Sequence, residues 1–232
     1  MKPNLTVSVI LSAYNSENTI NKSIDSLINQ TYKDIEILIV DDKSTDKTFE
    51  ICKDYEKKYE NILFFQNTEN IGLTKNLNYL ITKSNGSFIA RQDADDISEP
   101  DRIQKQLRFI DQKNIDGCTT RAFIMKQNKI TPNKSIYFPK KFVMQFKNPF
   151  IHGSLMIKKS TIMKVGNYNE NFYYSQDYKL MSDLLNNGYK IKILKEPLYH
   201  LNMEGNISVE KKDQQKYYAD CVRKNIEPDY IK

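Results

Sequence analysis

Asp93, Asp95 and Asp96 fall within four consecutive positions, just after the apolar-rich run Ser87-Phe-Ile-Ala-Arg91. Carboxylates packed this closely repel one another unless water, hydrogen bonds or a cation intervenes. Mg2+ and Mn2+ accept such oxygen ligands and usually share them with a substrate phosphate. The alternative is a solvated turn capping the helix that follows, since Asp is a common turn and N-cap residue. Two further polar clusters also end apolar runs: Ser12-Ala13-Tyr14-Asn15 and Asp41-Asp42.

The elements that must position these groups alternate at short intervals. Val7 to Leu11 reads as a strand, Ile20, Ile24, Leu27 and Ile28 as a helix face, and Ile35 to Val40 as a second strand. Phe49, Cys52 and Tyr55 mark a second helix, entered through Ser44-Thr45-Asp46 and followed by a third strand at Ile62 to Phe65. Leu73, Leu77, Leu80 and Ile81 give a third helix that Gly86 helps to close, and Ser87 to Arg91 is the fourth strand. Such alternation predicts a mostly parallel sheet with helices on both faces, whose ligands gather beyond the carboxyl ends of the strands. That places all three polar clusters at one edge.

The second half is less regular. Ser98-Glu99-Pro100 predicts a helix start, with Ile103, Leu107 and Ile110 on one face. Strands are expected near Cys118 to Met125 and Ser154 to Ile157, a helix from about Asp177 to Asn187, and an edge strand at Tyr189 to Leu194. Residues 210–232 are highly charged and read as a loosely packed tail.

At 232 residues the chain suits one α/β domain, divided into a ligand-binding half (1–110), a second half (111–209) and the tail (210–232). With 39% hydrophobic and 28% charged residues it is expected to be globular. Cys52, Cys118 and Cys221 are too few and too scattered for a disulfide framework or a zinc site, which predicts a reducing, cytoplasmic setting. No run approaches the roughly 18 apolar residues of a membrane span. The net charge of +6 is unevenly distributed: from Arg121 to Lys164 there are ten Lys and Arg and no Asp or Glu. Interleaved with Phe123, Tyr137, Phe138, Phe142, Phe146 and Phe150, this segment suits an anionic membrane face or an anionic substrate, or is simply a solvated Lys-rich surface. No nucleic-acid motif accompanies the charge, so nucleic acid is not an expected partner.

A nucleotide fits such a sheet edge, yet none of the seven glycines forms GxGxxG or a P-loop. A phosphate there needs a metal or cationic side chains, which Asp95 and Lys75 can provide. A Rossmann dehydrogenase is thereby disfavoured. An EF-hand lacks its Gly and Glu.

Four segments carry a family resemblance: Val7-Ser-Val-Ile-Leu-Ser-Ala-Tyr-Asn15; Ser26-Leu-Ile-Asn-Gln-Thr-Tyr32 running into Glu36-Ile-Leu-Ile-Val-Asp-Asp-Lys-Ser-Thr-Asp46; Asn70-Ile-Gly-Leu-Thr-Lys-Asn-Leu-Asn78; and Ala90-Arg-Gln-Asp-Ala-Asp-Asp-Ile-Ser98. In this order the chain resembles a family 2 glycosyltransferase of the GT-A fold, an inverting, metal-dependent enzyme of the bacterial surface-polysaccharide type. The resemblance implies a nucleotide-sugar donor, with uridine diphosphate as the expected carrier, and Mn2+ or Mg2+ as cofactor. It further implies hexosyl or N-acetylhexosaminyl transfer to a glycan or lipid-linked glycan at the cytoplasmic face of a membrane, with segment 121–164 as a peripheral contact.

The implied nucleotide-sugar contacts are Ser12, Ala13, Tyr14, Asn15, Asp41, Asp42, Asn70, Lys75, Asp93 and Ala94. Asp95 is the implied metal ligand, with Asp93 at the ribose or in the metal's outer shell, and Asp96 keeps a turn-capping reading. The implied base is Asp177 in Ser175-Gln-Asp-Tyr-Lys-Leu180, which can equally cap its helix. Gln176 departs from the family's usual Glu and leaves an inactive nucleotide-sugar-binding module open, and Ser12 stands where the family often has Pro. His152, Gln176 and His200 are candidate acceptor or diphosphate contacts. A nucleotidyltransferase is the competing enzyme class, although residues 12–22 offer no glycine and only Lys22 for a triphosphate.

Overall fold

A computed structural model describes residues 6–127, 129–203 and 211–229. Strands β1 (Val7–Ala13), β2 (Ile35–Asp41), β3 (Ile62–Gln66) and β4 (Phe88–Asp93) pair in parallel in the order β3-β2-β1-β4. Helices α1 (Ile20–Ile28), α2 (Thr48–Lys58) and α3 (Leu73–Lys83) connect them. The period of two along β1 explains the layering. Val7, Val9, Leu11 and Ala13 join one core with α1 and α2, while Ile10 faces the opposite core with α3.

Beyond β4 the sheet changes direction. The short strand β5 (Ile97–Ser98) leads to α4 (Arg102–Lys113), then β6 (Gly117–Ile124) and β7 (Lys129–Thr131) form an antiparallel pair. A short helix α5 (Lys140–Val143) precedes β8 (Met156–Lys158), which pairs antiparallel with both β4 and β6 and so joins the two halves into one sheet. Helices α6 (Lys159–Lys164) and α7 (Gln176–Asn186), strand β9 (Ile191–Leu201) and helix α8 (Lys212–Lys224) complete the chain.

Three expectations change. β9 is not an edge strand: it lies between β6 and β5, parallel to β6, and continues to Leu201 past Pro197. The pairing register shifts opposite Arg121, where Pro197 sits, which accommodates a residue with no N–H to donate. The helix expected at Ser98-Glu99-Pro100 starts only at Arg102, because Ser98 is taken up by β5 pairing with Tyr199. Finally, 212–224 is a packed helix rather than a tail. Tyr218, Cys221 and Val222, spaced three and four apart, are buried in the core shared with α3 and α7. Among the described residues no helix is long and apolar enough to cross a membrane, and all three cysteines are buried thiols.

Candidate active site

The carboxyl ends of β1, β2 and β4 meet as expected, with Ala13 opposite Asp41 and Ser12 opposite Asp93. Asn15 stitches the first two ends together. At φ 46 it turns the chain sharply, its Oδ1 accepts the Thr45 amide (2.8 Å), and its own amide donates to Ser44 Oγ (2.9 Å). Asp42 is buried and fixes the approach to α3: Ile71 N–H and Asn67 Nδ2 donate to its Oδ1, and Gly72 N–H to its Oδ2, at 2.8–2.9 Å. Asn67 also donates to Asn76 Oδ1, and Asn76 to Ser12 Oγ. Tyr14, 49% exposed, stands at the rim with its ring open to a planar ligand.

Other expected contacts are placed elsewhere. Asp41 is fully buried and turned onto the Ser44 amide and Gln66, so it shapes the turn rather than facing a ligand. Ala13 and Ala94 are buried in the core, so only their backbone reaches the edge. Lys75 is exposed on α3 and lines a groove with Tyr168, Glu170 and Asp183 on the side of the 166–170 loop. Asn70 is exposed beside the Asp42-bound amides.

At the β4 end, Arg91 is the decisive residue, and the sequence reading had passed over it. Period two puts Arg91 and Asp93 on one face, and the buried guanidinium holds the carboxylate by two bonds: Nη2 to Oδ1 at 2.5 Å and Nη1 to Oδ2 at 2.6 Å. Asp93 is therefore committed to Arg91 rather than free as an inner-shell metal ligand. A cation inside a strand read as apolar was the available signal. The turn beyond is fixed from three sides. Ser23 Oγ donates to the Asp93 carbonyl (2.7 Å), Tyr199 Oη accepts the Asp93 amide (3.0 Å), and Gln92 Nε2 donates to the Asp96 carbonyl (2.8 Å). Gly153 must lack a side chain here, because a Cβ would lie 2.4 Å from Tyr199 Oη and 2.6 Å from Asp93 Oδ2. Buried Arg102 backs the turn, donating to the Arg91 carbonyl (3.0 Å) and lying over the Tyr199 ring.

The other two carboxylates now separate. Asp96 is not a local cap: its Oδ1 accepts the amide of Asn202, beyond β9, and burial together with Asp93 pushes its acid up to about 8. Asp95 is half-buried, and burial and the Asp93 charge push it up to about 6. An oxygen donor whose negative charge is under-compensated suits a hard cation, and the fit to Mg2+ or Mn2+ is through Asp95. Among the described residues no group of three His, Cys, Asp or Glu converges on a common point, so such an ion would draw its remaining ligands from substrate oxygens and water.

Asp177 approaches from the second half. It lies in the first turn of α7, whereas the N-cap position belongs to Ser175, at φ 55, whose hydroxyl donates to the Gln215 carbonyl of α8. Gln176 is the first residue of that helix. Asn148 Nδ2 donates to Asp177 Oδ2 (2.8 Å), and the Phe150 amide donates to Asn148 Oδ1 (3.0 Å), which fixes the orientation of the amide. Burial raises the Asp177 carboxyl, while its helix amides, Asn148 and the Arg91 charge hold it partly down. His152 Nε2 meets Tyr168 Oη at 2.8 Å, and burial beside Arg91 keeps the imidazole neutral. His200 is turned away to Glu99 (2.6 Å) and stacks on Phe123.

A buried arginine holding the donor-side carboxylate and a helix-borne Asp within its field form the frame of a transfer site. A family model described as "Glycosyl transferase family 2" matches residues 8–172. The chain belongs to glycosyl transferase family 2. Family 2 membership removes the nucleotidyltransferase reading. The O-antigen biosynthesis glycosyltransferase WbnJ of Escherichia coli is 33% identical over 78% of this chain and 72% of its own. The uncharacterized glycosyltransferase MJ1057 of Methanocaldococcus jannaschii is 33% identical over 82% and 68%. The fold matches the GT-A enzymes. TarS 1-349 of S. aureus in complex with UDP-GlcNAc superimposes with a TM-score of 0.77 at 20% identity, over 97% of this chain and 68% of that one. The mannosyltransferase PcManGT of Pyrobaculum calidifontis, with GDP-Man and Mn2+, gives 0.74 at 16% identity, over 96% and 65%. A longer TarS structure is spanned to only 39% of its length.

Proposed function

We propose that this family 2 glycosyltransferase moves a sugar, with inversion, from a nucleoside diphosphate, uridine diphosphate foremost, to a hydroxyl of a surface-polysaccharide or lipid-linked glycan. The observation that carries the reading is the buried Arg91, which grips Asp93 at the donor edge and whose charge also acts on Asp177. The names of WbnJ and of the UDP-GlcNAc complex of TarS support the substrate class.

Tyr14 stacks on the base, Asp42 and its bonded amides shape the floor beneath it, and Asp93 faces the ribose side while Arg91 holds it. Asp177 takes the acceptor proton as the hydroxyl oxygen attacks the anomeric carbon and the bond to the diphosphate breaks. Asn148 occupies Oδ2, which leaves Oδ1 to receive that proton. Neutral His152, held by Tyr168, adds no positive charge that would weaken the base. A divalent ion on Asp95 would offset the charge developing on the departing diphosphate.

Calorimetric titration with UDP-GlcNAc, with and without Mn2+, tests the donor reading. Binding should strengthen with Mn2+ in the native protein, and Asp95→Asn should weaken the Mn2+-dependent part by at least about tenfold. Equal binding with and without metal would remove Asp95 from its role, and no nucleotide binding at all would sink the reading.

A peripheral contact with an anionic membrane belongs to the same proposal. Around α5, Tyr137, Phe138, Phe142 and Phe146 are 72%, 53%, 52% and 65% exposed, beside Lys134, Lys141 and Lys147. Rings that sit at headgroup level, flanked by lysines, suit such a surface. Vesicles containing phosphatidylglycerol should sediment the protein, and Phe142→Ser with Phe146→Ser should release most of it. Equal recovery with neutral vesicles, or no loss in the variant, would refute the contact.

A further inference from the structure

A groove of about 720 Å³ opens between β7, the 133–135 loop and residues 147–151. Its size suits a small ligand. One of its lining residues, Asn148, is also the residue that hydrogen-bonds Asp177. One wall of the groove therefore touches the base.

The chemistry of the walls is specific. Lys129 and Lys147 line it and no Asp or Glu does, in keeping with a segment 121–164 that carries ten cationic residues and no acidic ones. The groove beside α3, of about 760 Å³, is lined by Lys75 but also by Glu170 and Asp183 and has no such one-signed character. The remaining walls of the 720 Å³ groove are largely apolar, Ile130, Pro132 and Pro149 among them. Lining residues Ser135 and Lys147 bracket the stretch that bears the exposed rings of Tyr137, Phe138, Phe142 and Phe146. An alkyl chain leaving the groove on that side meets an apolar surface rather than water alone.

We propose that this groove seats the acceptor and that the acceptor is a sugar joined through phosphate to a lipid. The phosphate lies against Lys129 and Lys147, the first carbons of the lipid run along Ile130, Pro132 and Pro149, and the sugar hydroxyl is presented past Asn148 to Asp177. Asn148 is a positioning residue: it holds the base and forms part of the wall against which the acceptor lies. The assignment rests on the glycosyltransferase reading with Asp177 as base.

Isotope-labelled full-length protein titrated with three soluble probes tests it by backbone-amide NMR: octyl phosphate-linked N-acetylglucosamine, the neutral octyl N-acetylglucosaminide, and the methyl phosphate-linked sugar. The octyl phosphate compound should shift amides in 129–135 and 147–151. Its Kd should be about tenfold lower than that of either other probe, and should rise about tenfold in Lys129→Glu with Lys147→Glu. Equal binding of the neutral probe, shifts confined to other regions, or an unchanged Kd in the double variant would overturn the site. Equal binding of the methyl phosphate probe would overturn the lipid assignment. A UDP titration of the same samples separates the two readings. UDP binding without groove binding refutes the groove alone, while groove binding without UDP binding supports the groove and refutes the donor reading.

Discussion

Asp177→Asn is expected to bind UDP-GlcNAc like the native protein and to lose sugar transfer by roughly 10²–10⁴-fold, the range a positioned general base supplies. Asn matches the shape of Asp, so α7 and its contacts to α8 should stay in place. What disappears is the acceptor for the proton. The pH profile gives a second readout. Burial raises the Asp177 carboxyl, so the base is lost by protonation at a higher pH than an ordinary Asp, and kcat/KM should fall on the acid side. In Asn148→Ala the bond favouring the ionised form is gone, which raises that pKa further and moves the acid limb to higher pH. Near-native transfer by Asp177→Asn would reassign the base, and an unmoved limb in Asn148→Ala would separate Asn148 from it.

The parts of this site that were legible in the sequence are those set by period and by strand ends. Apolar alternation located β1 to β4, and the parallel topology then brought Tyr14, Asp42 and Asp95 to one edge without further information. What local pattern leaves open is the partner of each polar group. Asp41 and Asp42 are neighbours of the same type, yet one turns onto its own loop and the other onto amides 29 and 30 residues ahead. His200 looked available for a ligand until β5 paired with β9 and brought Glu99 to it. Asn148 had no local signal, because its meaning depends on a helix 29 residues away. The C-terminal helix was misread for another reason: its charge obscured the short stripe of Tyr218, Cys221 and Val222. That stripe matters to function, since α8 accepts the Ser175 hydroxyl at the start of the helix that bears Asp177.

Arg91→Met should cost both stability and activity, and the two losses can be separated. Removing one partner of a buried ion pair strands the other, at about 3–5 kcal/mol for a fully buried pair. Asp93 is 31% exposed and water screens part of that cost, so about 3 kcal/mol is expected, or a Tm lower by about 6–12 °C in a domain of this size. Transfer should fall further than unfolding explains, because Asp93 loses its fixed orientation and the field on Asp177 and His152 changes together. The double variant Arg91→Met with Asp93→Asn decides between a structural and a functional pair. It removes the stranded charge and should recover much of the Tm, yet it restores neither the donor-side carboxylate nor the field on the base. Recovery of transfer along with Tm would make the pair a mere scaffold. Recovery of Tm alone would place Arg91 within the transfer machinery, as the group through which the donor edge and the base are electrostatically one site.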